Sequence, residues 1–377
     1  MTSAYIHIPF CEQICFYCDF NKVFLENQPV DEYIDALLCE TEQRFLAHPT
    51  QTVETLYIGG GTPTSLTAAQ LDRLCQGLCN RLPFEKGHEW TVEVNPGDLD
   101  EDKLRVLTQY GVNRLSLGVQ TFDNHLLKKI GRKHTAQDVF ETLHQIEQYS
   151  DIDNVTIDLM YALPHQTKES WQHTIEQTLS LHLPHIAMYS LILENKTRFA
   201  NLARKGKLHR PDEETEVWMF EYAKEQFQKQ GLCQYELSNF AQPGFESQHN
   251  LMYWNNEHYY GLGAGASGYI GDVRYTNHGP IQHYLSHVQE GDATLFSETL
   301  TTKEKMEEQL FLGLRKMSGV RRDEFQTRFK VTMDEVYGEA IQSLVARQLL
   351  VDDGQAIALT EQGLLLGNEV FQEFLLD

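Results

Sequence analysis

Residues 5–20 read YIHIPFCEQICFYCDF, a strand-like segment followed at once by three cysteines. Cys11, Cys15 and Cys18 have the spacing C-x3-C-x2-C. Thiolates are the preferred ligands of iron–sulfur clusters, so three cysteines on one loop can hold three irons of a 4Fe-4S cluster and leave the fourth iron open for chemistry. The alternative is a zinc site, for which His7 or Asp19 would have to supply the fourth ligand.

The composition indicates a globular protein with a large core. The chain has 377 residues, 41% of them hydrophobic, which predicts one large domain and a smaller one. Apolar runs such as His185 to Leu193 fall far short of the roughly 20 residues of a membrane span. The N-terminus shows no basic-then-apolar signal segment, so we expect a cytoplasmic protein. The formal net charge of -23 disfavours non-specific binding to nucleic acid or to an anionic membrane.

The other four cysteines are predicted to be structural. Cys75 and Cys79 fall on the apolar stripe of an amphipathic helix, and Cys39 and Cys233 carry no partner signal. Seven cysteines in a cytoplasmic chain favour free thiols and metal ligands over disulfides.

The first 200 residues alternate short apolar strands with amphipathic helices. Strands are predicted at Ala4–Ile8, Thr55–Ile58, Trp90–Val94, Arg114–Val119, Asn154–Leu159 and His185–Leu191. Helices are predicted at Val30–Ala47, Thr67–Leu82, Asp100–Gln109, Ala136–Gln148 and Lys168–Leu181. Such alternation calls for a parallel sheet with right-handed crossovers. The predicted fold class is α/β, with six units in a partial, TIM-like (β/α)6 barrel.

Unusual polar and glycine residues follow the predicted strands at their carboxyl ends. The cysteine loop follows the first strand and Gly59–Pro63 follows the second, while Glu93, Gln120 and Asp158 stand at the ends of the next three. Parallel barrels build their active sites at that face, so we expect these residues to meet there.

Each of these features also has a plain structural explanation. Three glycines can form a simple tight turn, although bare backbone there can also accept hydrogen bonds from an ammonium group. Glu93 and Asp158 can be solvated carboxylates at the rim, or they can bind hydroxyl and ammonium groups. Arg132 can belong to a basic patch, KKIGRKH, or fork onto a carboxylate.

Taken together, the motifs make the chain resemble the HemN/HemW group of radical S-adenosylmethionine (SAM) proteins over nearly its whole length. The matching stretches are YIHIPFCEQICFYCDF, LYIGGGTPTSL, TVEVNPGDL, RLSLGVQTFD, IDLMYALP and YGLGAGASGY. The resemblance implies a radical SAM barrel with a 4Fe-4S cluster on the three cysteines and SAM on the open iron. It also implies these SAM contacts: Tyr5 over the cluster, Gly60, Gly61 and Thr62 at the methionine, Glu93 and Arg132 at its amino and carboxylate ends, and Gln120 and Asp158 at the ribose.

Two functions within this group compete. One is the oxygen-independent coproporphyrinogen III oxidase, which uses SAM-derived radicals to decarboxylate propionate side chains, and the other is a chaperone that binds haem and passes it to haem-requiring respiratory proteins. The oxidase pattern has a further cysteine two residues beyond the last cluster ligand, where this chain has Phe20, and an N-terminal extension, where only a few residues precede Tyr5. Both departures favour the chaperone and predict no oxidase activity, while SAM cleavage stays open.

A positive sign for the chaperone is the run His249–Trp254, which matches the H-N-x-x-Y-W motif associated with haem in this family. His249, Asn250, Tyr253 and Trp254 are therefore the predicted haem residues. Imidazole can ligate haem iron and aromatic rings can pack on a porphyrin. A neighbouring histidine, such as His258, is an alternative ligand.

The last part of the chain changes character, and we predict a domain boundary that separates residues 1–294 from 295–377. Helices at Thr302–Arg315, Arg322–Phe329 and Met333–Arg347, followed by a short hairpin in LLVDDGQAIALT, predict a small winged-helix-like domain. The acidic balance argues for a structural or docking role there and against nucleic acid. A homodimer and peripheral membrane contact are left open.

Overall fold

The computed structural model describes residues 2–376. The strands are β1 Thr2–Ile8, β2 Phe10–Cys11, β3 Val23–Phe24, β4 Val53–Gly60, β5 Phe84–Val94, β6 Arg114–Gln120, β7 Asn154–Tyr161, β8 His185–Ser190, β9 Cys233–Gln234, β10 Asn239–Ala241, β11 His258–Leu262, β12 Ser267–Ile270, β13 Val273–Asn277, β14 Thr294–Thr299, β15 Val320–Arg321, β16 Leu350–Asp352 and β17 Ala356–Leu359. The helices are α1 Val30–Ala47, α2 Ala68–Cys79, α3 Glu101–Gln109, α4 Asn124–Ile130, α5 Ala136–Tyr149, α6 Lys168–Ser180, α7 Arg198–Arg204, α8 Glu213–Lys229, α9 Gln248–Trp254, α10 Ile281–Glu290, α11 Thr302–Gly313, α12 Arg322–Phe329, α13 Met333–Ala346, α14 Glu361–Leu365 and α15 Gly367–Gln372.

A twelve-stranded sheet forms the body of the protein, in the order β14-β13-β12-β11-β1-β4-β5-β6-β7-β8-β10-β9. The six predicted strands, β1 and β4 to β8, are neighbours and run parallel, so the predicted barrel units are confirmed. β11 adds a seventh parallel strand on the other side of β1. The remaining strands extend both edges in antiparallel pairs.

The five predicted helices between the strands are also confirmed, to within three residues at each end. Two of them begin where the sequence supplies a capping box, with Thr67 and Thr135 as the capping residues. Their apolar stripes cover the outer face of the sheet. On β1, Ala4, Ile6 and Ile8 join this outer core, and the alternate residues face the inside of the barrel.

Residues 198–299 contain helices and strands for which the sequence analysis made no prediction. They supply α7 to α10 and β9 to β14. The predicted boundary between residues 294 and 295 falls inside β14, which pairs with β13 as far as Thr299. Five residues of that strand in succession, 295–299, are exposed, so its sequence carries little of the apolar signal of a sheet strand.

The C-terminal unit has a core of its own. Leu310, Phe325, Tyr337, Ile341 and Ile357 are among its buried residues. The three predicted helices and the hairpin are present, and β15 pairs with the hairpin to give the sheet order β15-β17-β16. Within residues 2–376, none of the helices combines the length and the apolar character needed to cross a membrane.

Candidate functional site

A cavity of about 360 Å³ opens at the carboxyl end of the parallel strands and reaches down the barrel to α9. It brings together most of the predicted cluster and SAM residues, although they come from six separate strand ends and loops. The predicted residues that line it are Cys11, Cys15, Cys18, Gly60, Gly61, Thr62, Glu93, Gln120, Arg132, Asp158 and, from the haem motif, Asn250.

The three cysteines lie on one wall of this cavity. Cys11 is buried, Cys15 and Cys18 are half-buried, and all three are free thiols. The Thr62 hydroxyl donates to the Cys11 sulfur over 3.7 Å, and the Arg132 guanidinium donates to the Cys15 sulfur over 3.6 Å. Iron–sulfur clusters are usually surrounded by hydrogen-bond donors directed at their sulfur atoms, so the loop fits that group.

Burial favours the protonated form of two of the three thiols. Burial raises the pKa of Cys11 to about 11 and also raises the pKa of Cys18. Within residues 2–376, no three His, Cys, Asp or Glu side chains are already arranged to hold a metal ion. A cluster on this loop would take the cysteines as thiolates, so its binding would release protons.

The triple glycine is required by packing at each of its positions. A Cβ at Gly59 would lie 2.7 Å from the Glu93 carboxyl carbon, and one at Gly60 would overlap the His7 imidazole. At Gly61 it would lie 2.7 Å from the backbone oxygen of Phe10. Gly60 also has φ +111°, which favours glycine. The glycines therefore serve close backbone approach and not only a turn.

Glu93 and Asp158 are two carboxyl groups held inside the barrel. The Glu93 oxygens accept hydrogen bonds from the Tyr57 hydroxyl at 2.8 Å and from the Gly60 backbone at 2.9 Å. Ser116 lies 3.0 and 3.1 Å from the two oxygens of Asp158. Burial raises the pKa of both carboxyls, and burial together with the charge of Glu93 brings the pKa of Asp158 to about 7.

Arg132 reaches into the cavity from the loop after α4. Its guanidinium donates to the Asn95 side chain at 2.8 Å and to the Gly118 carbonyl. Gln120 ends β6 with φ 68°, next to a register shift between Gly118 and Gln120. The predicted cation and amide thus lie together at the end of β6.

Among the described residues, those that line the cavity do not include Tyr5. Its hydroxyl bonds to the His7 imidazole at 2.9 Å, and its ring stacks on Tyr57 with centroids 6.1 Å apart.

Tyr57 and Asn95 are site residues that the sequence analysis missed. Asn95 lies inside the TVEVNP motif, and Tyr57 precedes the glycines in LYIGGG. Both residues therefore belong to stretches that match the family, but neither has a residue type or spacing that indicates a role in the site.

The run predicted to bind haem, His249–Trp254, lies in α9, at the amino end of the barrel and opposite the cysteine loop. His249 is 1% exposed, and its ring nitrogens bond to the Thr55 hydroxyl at 2.8 Å and the Tyr253 hydroxyl at 3.1 Å. The first backbone amides of α9 donate to Glu89, which anchors the helix to β5. Burial lowers the pKa of His249 to about 3, so the imidazole is neutral.

The other motif residues face different surroundings. Asn250 lines the cavity, while the Trp254 ring lies under the Arg315 guanidinium of the C-terminal unit, 5.1 Å away. The alternative ligand His258 is exposed, and its ring meets Tyr269 edge to face at 5.0 Å.

Comparison with protein families finds two matches. Residues 5–178 match the model of the radical SAM superfamily, and residues 300–366 match the model of the HemN C-terminal domain. The first match contains the cysteine loop and the Glu93, Arg132 and Asp158 positions.

Whole-chain relatives are also found. The chain is 48% identical to the "Heme chaperone HemW" of Lactococcus lactis, covering 100% of this chain and 98% of that protein. It is 47% identical to the protein of the same name from Bacillus subtilis, with 100% and 99% covered. Among solved structures, the coproporphyrinogen III oxidase HemN of Escherichia coli, described as a radical SAM enzyme, superposes with a TM-score of 0.87 at 25% identity, over 99% of this chain and 90% of that one.

Proposed function

The chain belongs to the family of HemW haem chaperones, and from that membership we propose that it binds haem and delivers it to haem-requiring proteins. The observation that carries the proposal is the full-length identity of 48% to a protein of that name, joined with a cysteine loop and cavity of radical SAM type. We further propose that a 4Fe-4S cluster and SAM occupy the carboxyl end of the barrel.

Cys11, Cys15 and Cys18 would hold the cluster, and Thr62 and Arg132 would donate hydrogen bonds to its sulfur ligands. A bound cluster with one open iron supplies single electrons and a chelating position for SAM. The cavity wall supports this assignment, because two sulfurs already have donors directed at them.

Polar groups of the barrel suit the two ends of SAM. The Glu93 carboxylate keeps lone pairs beyond its bonds to Tyr57 and Gly60, and it can accept from an ammonium group. Asp158 can accept from ribose hydroxyls once it is ionised, with Ser116 holding its orientation. Gln120 and Arg132 line the same cavity at the end of β6, the strand between those that carry Glu93 and Asp158.

Haem is assigned to the α9 region on the strength of the H-N-x-x-Y-W motif. The geometry adds a condition: iron can bind the Nε2 atom of His249 only after the Tyr253 hydroxyl leaves it. Bonding of the other nitrogen to Thr55 is the arrangement usual for a metal-ligating histidine, whose second nitrogen is held by a partner.

The competing function, oxygen-independent coproporphyrinogen III oxidase, is favoured by the superposition on HemN. Phe20 argues against it, because the oxidase pattern has cysteine at that position. Here the Phe20 ring is 60% exposed and lines the cavity. We propose that this chain does not make protoporphyrinogen IX.

We propose a cytoplasmic protein whose acceptors are haem-requiring respiratory proteins. Whether it acts as a homodimer or touches the membrane surface is decided by sizing the haem-loaded protein and by vesicle flotation. Neither property is needed for the assignment of the cavity.

The cluster assignment is tested with alanine at Cys11, Cys15 and Cys18 together. After anaerobic reconstitution the variant should lose the cluster absorbance and its iron and sulfide. A matched control replaces the exposed cysteines Cys39, Cys79 and Cys233 by alanine and should keep them. Retention of four irons and four sulfides by the first variant would overturn the assignment.

A further inference from the structure

A continuous series of hydrogen bonds links two of the three predicted cluster cysteines through one asparagine. Asn95 follows β5 at the carboxyl end of the barrel. Its amide nitrogen donates to the Thr62 hydroxyl oxygen at 2.9 Å, and its amide oxygen accepts from the Arg132 guanidinium at 2.8 Å. Thr62 and Arg132 in turn donate to the sulfurs of Cys11 and Cys15.

The donor and the acceptor of each hydrogen bond in this series follow from the side-chain types. A guanidinium is a donor and not an acceptor, so the oxygen of the Asn95 amide must face Arg132. Its nitrogen therefore faces Thr62 and uses that hydroxyl as an acceptor. The hydroxyl proton is then free to point at the Cys11 sulfur. Asn95 thus decides that Thr62 is a donor to the cluster loop.

A turn steadies the backbone of Asn95. The backbone oxygen of Asn95 accepts from the Asp98 amide at 3.1 Å, and Pro96 follows, which favours extended backbone at residue 95. The backbone from which the Asn95 side chain extends is therefore held in place.

We propose that Asn95 is a positioning residue that sets the reduction potential of the cluster by keeping the Thr62 and Arg132 donors on its cysteine sulfurs. The proposal rests on the cluster assignment made above. Hydrogen bonds to sulfur stabilise the reduced, more negative cluster and so raise its potential. Weakening them should make the cluster harder to reduce.

Two substitutions of Asn95 distinguish the loss of its hydrogen bonds from a change in which group Thr62 donates to. Asn95→Asp has nearly the same shape, but a carboxylate cannot donate, so the Thr62 hydroxyl should turn from Cys11 to the new acceptor. Asn95→Ala removes both bonds without adding charge. The matched control is Asn113→Ala, since Asn113 bonds the backbone of Trp90 and His88 at the opposite end of the barrel.

The experiment is an anaerobic redox titration of the reconstituted full-length chain, followed by electron paramagnetic resonance, with iron counted in each sample. Both Asn95 variants should keep the cluster and shift its midpoint potential to more negative values, with Asp shifted further than Ala. Asn113→Ala should match the unsubstituted chain. In a Thr62→Val background, the Asn95→Ala shift should shrink, because one of its two routes is already gone.

Unchanged potentials in both Asn95 variants would overturn the proposal. Loss of iron from both of them, with Thr62→Val still loaded, would overturn it as well, because Asn95 would then serve assembly and not potential. If the unsubstituted chain holds no cluster, the cluster assignment under the proposed function is refuted instead. The two failures are therefore distinguishable.

Discussion

The hydrogen bonds of His249 allow its proposed role as a haem ligand to be tested by two substitutions with opposite expected effects on haem affinity. Tyr253→Phe removes the hydroxyl that occupies Nε2, and Thr55→Val removes the partner of Nδ1. If iron binds Nε2, the first change removes a competitor and the second removes the group that orients the ring.

The magnitudes follow from the two bonds. A buried hydrogen bond is worth about 0.5–1.5 kcal/mol net, and about 1.4 kcal/mol changes a binding constant tenfold. Tyr253→Phe should therefore raise haem affinity roughly two- to tenfold. Loss of the partner on a ligating histidine costs roughly tenfold or more, so Thr55→Val should lower haem affinity by that order.

The assay is haem titration of the full-length protein, followed by absorbance. Tyr260→Phe is the matched control, because the Tyr260 hydroxyl bonds the His48 backbone away from α9 and its loss should leave haem affinity unchanged. His249→Ala should weaken binding and alter the spectrum. Equal affinities in the Tyr253→Phe, Thr55→Val and His249→Ala variants would refute His249 as the ligand and turn attention to His258.

Two further predictions concern the cavity at the carboxyl end of the barrel. Gly60→Ala should lower the free energy of unfolding by an amount on the order of 2–4 kcal/mol, because the new Cβ would overlap the His7 imidazole. The control is Gly87→Ala, which should cost much less, since Gly87 also has positive φ but has open space around it. Urea unfolding of the two variants compares these costs. Asp158 has a folded pKa of about 7, above its unfolded value, so its contribution to stability is present at low pH and lost as pH rises towards 7 and beyond. Asp158→Asn should remove a fall of roughly 2 kcal/mol between pH 5 and 8; an unchanged pH profile would contradict the burial argument.

The cysteine loop and the strand-end motifs were predictable because their signals are local. Spacing alone brings Cys11, Cys15 and Cys18 onto one loop, and strand–helix alternation alone brings Glu93 and Asp158 to one face of a parallel sheet. The structure places all five on one cavity.

Other features depend on pairings between distant parts of the chain. β11 lies beside β1 although about 250 residues separate them, and the register that joins His258 to Thr2 has no local signature. The position of α9 at the amino end of the barrel follows from that pairing and from Glu89. Its motif could be recognised, but the enclosure of His249 could not.

The bridging role of Asn95 was also beyond prediction, for a different reason. Its motif, TVEVNP, was recognised for Glu93, and an asparagine before proline has a ready explanation as a turn residue. The proposed bridging role depends on its hydrogen bonds to Thr62 and Arg132, which lie on two other loops. Sequence distance hides such a network until the barrel is assembled.

The most direct test of the central claim is haem titration of the anaerobically reconstituted chain, run beside an assay for SAM-dependent conversion of coproporphyrinogen III to protoporphyrinogen IX. The proposed function predicts stoichiometric haem binding and no conversion. Conversion with release of carbon dioxide, or failure to bind haem at all, would contradict it.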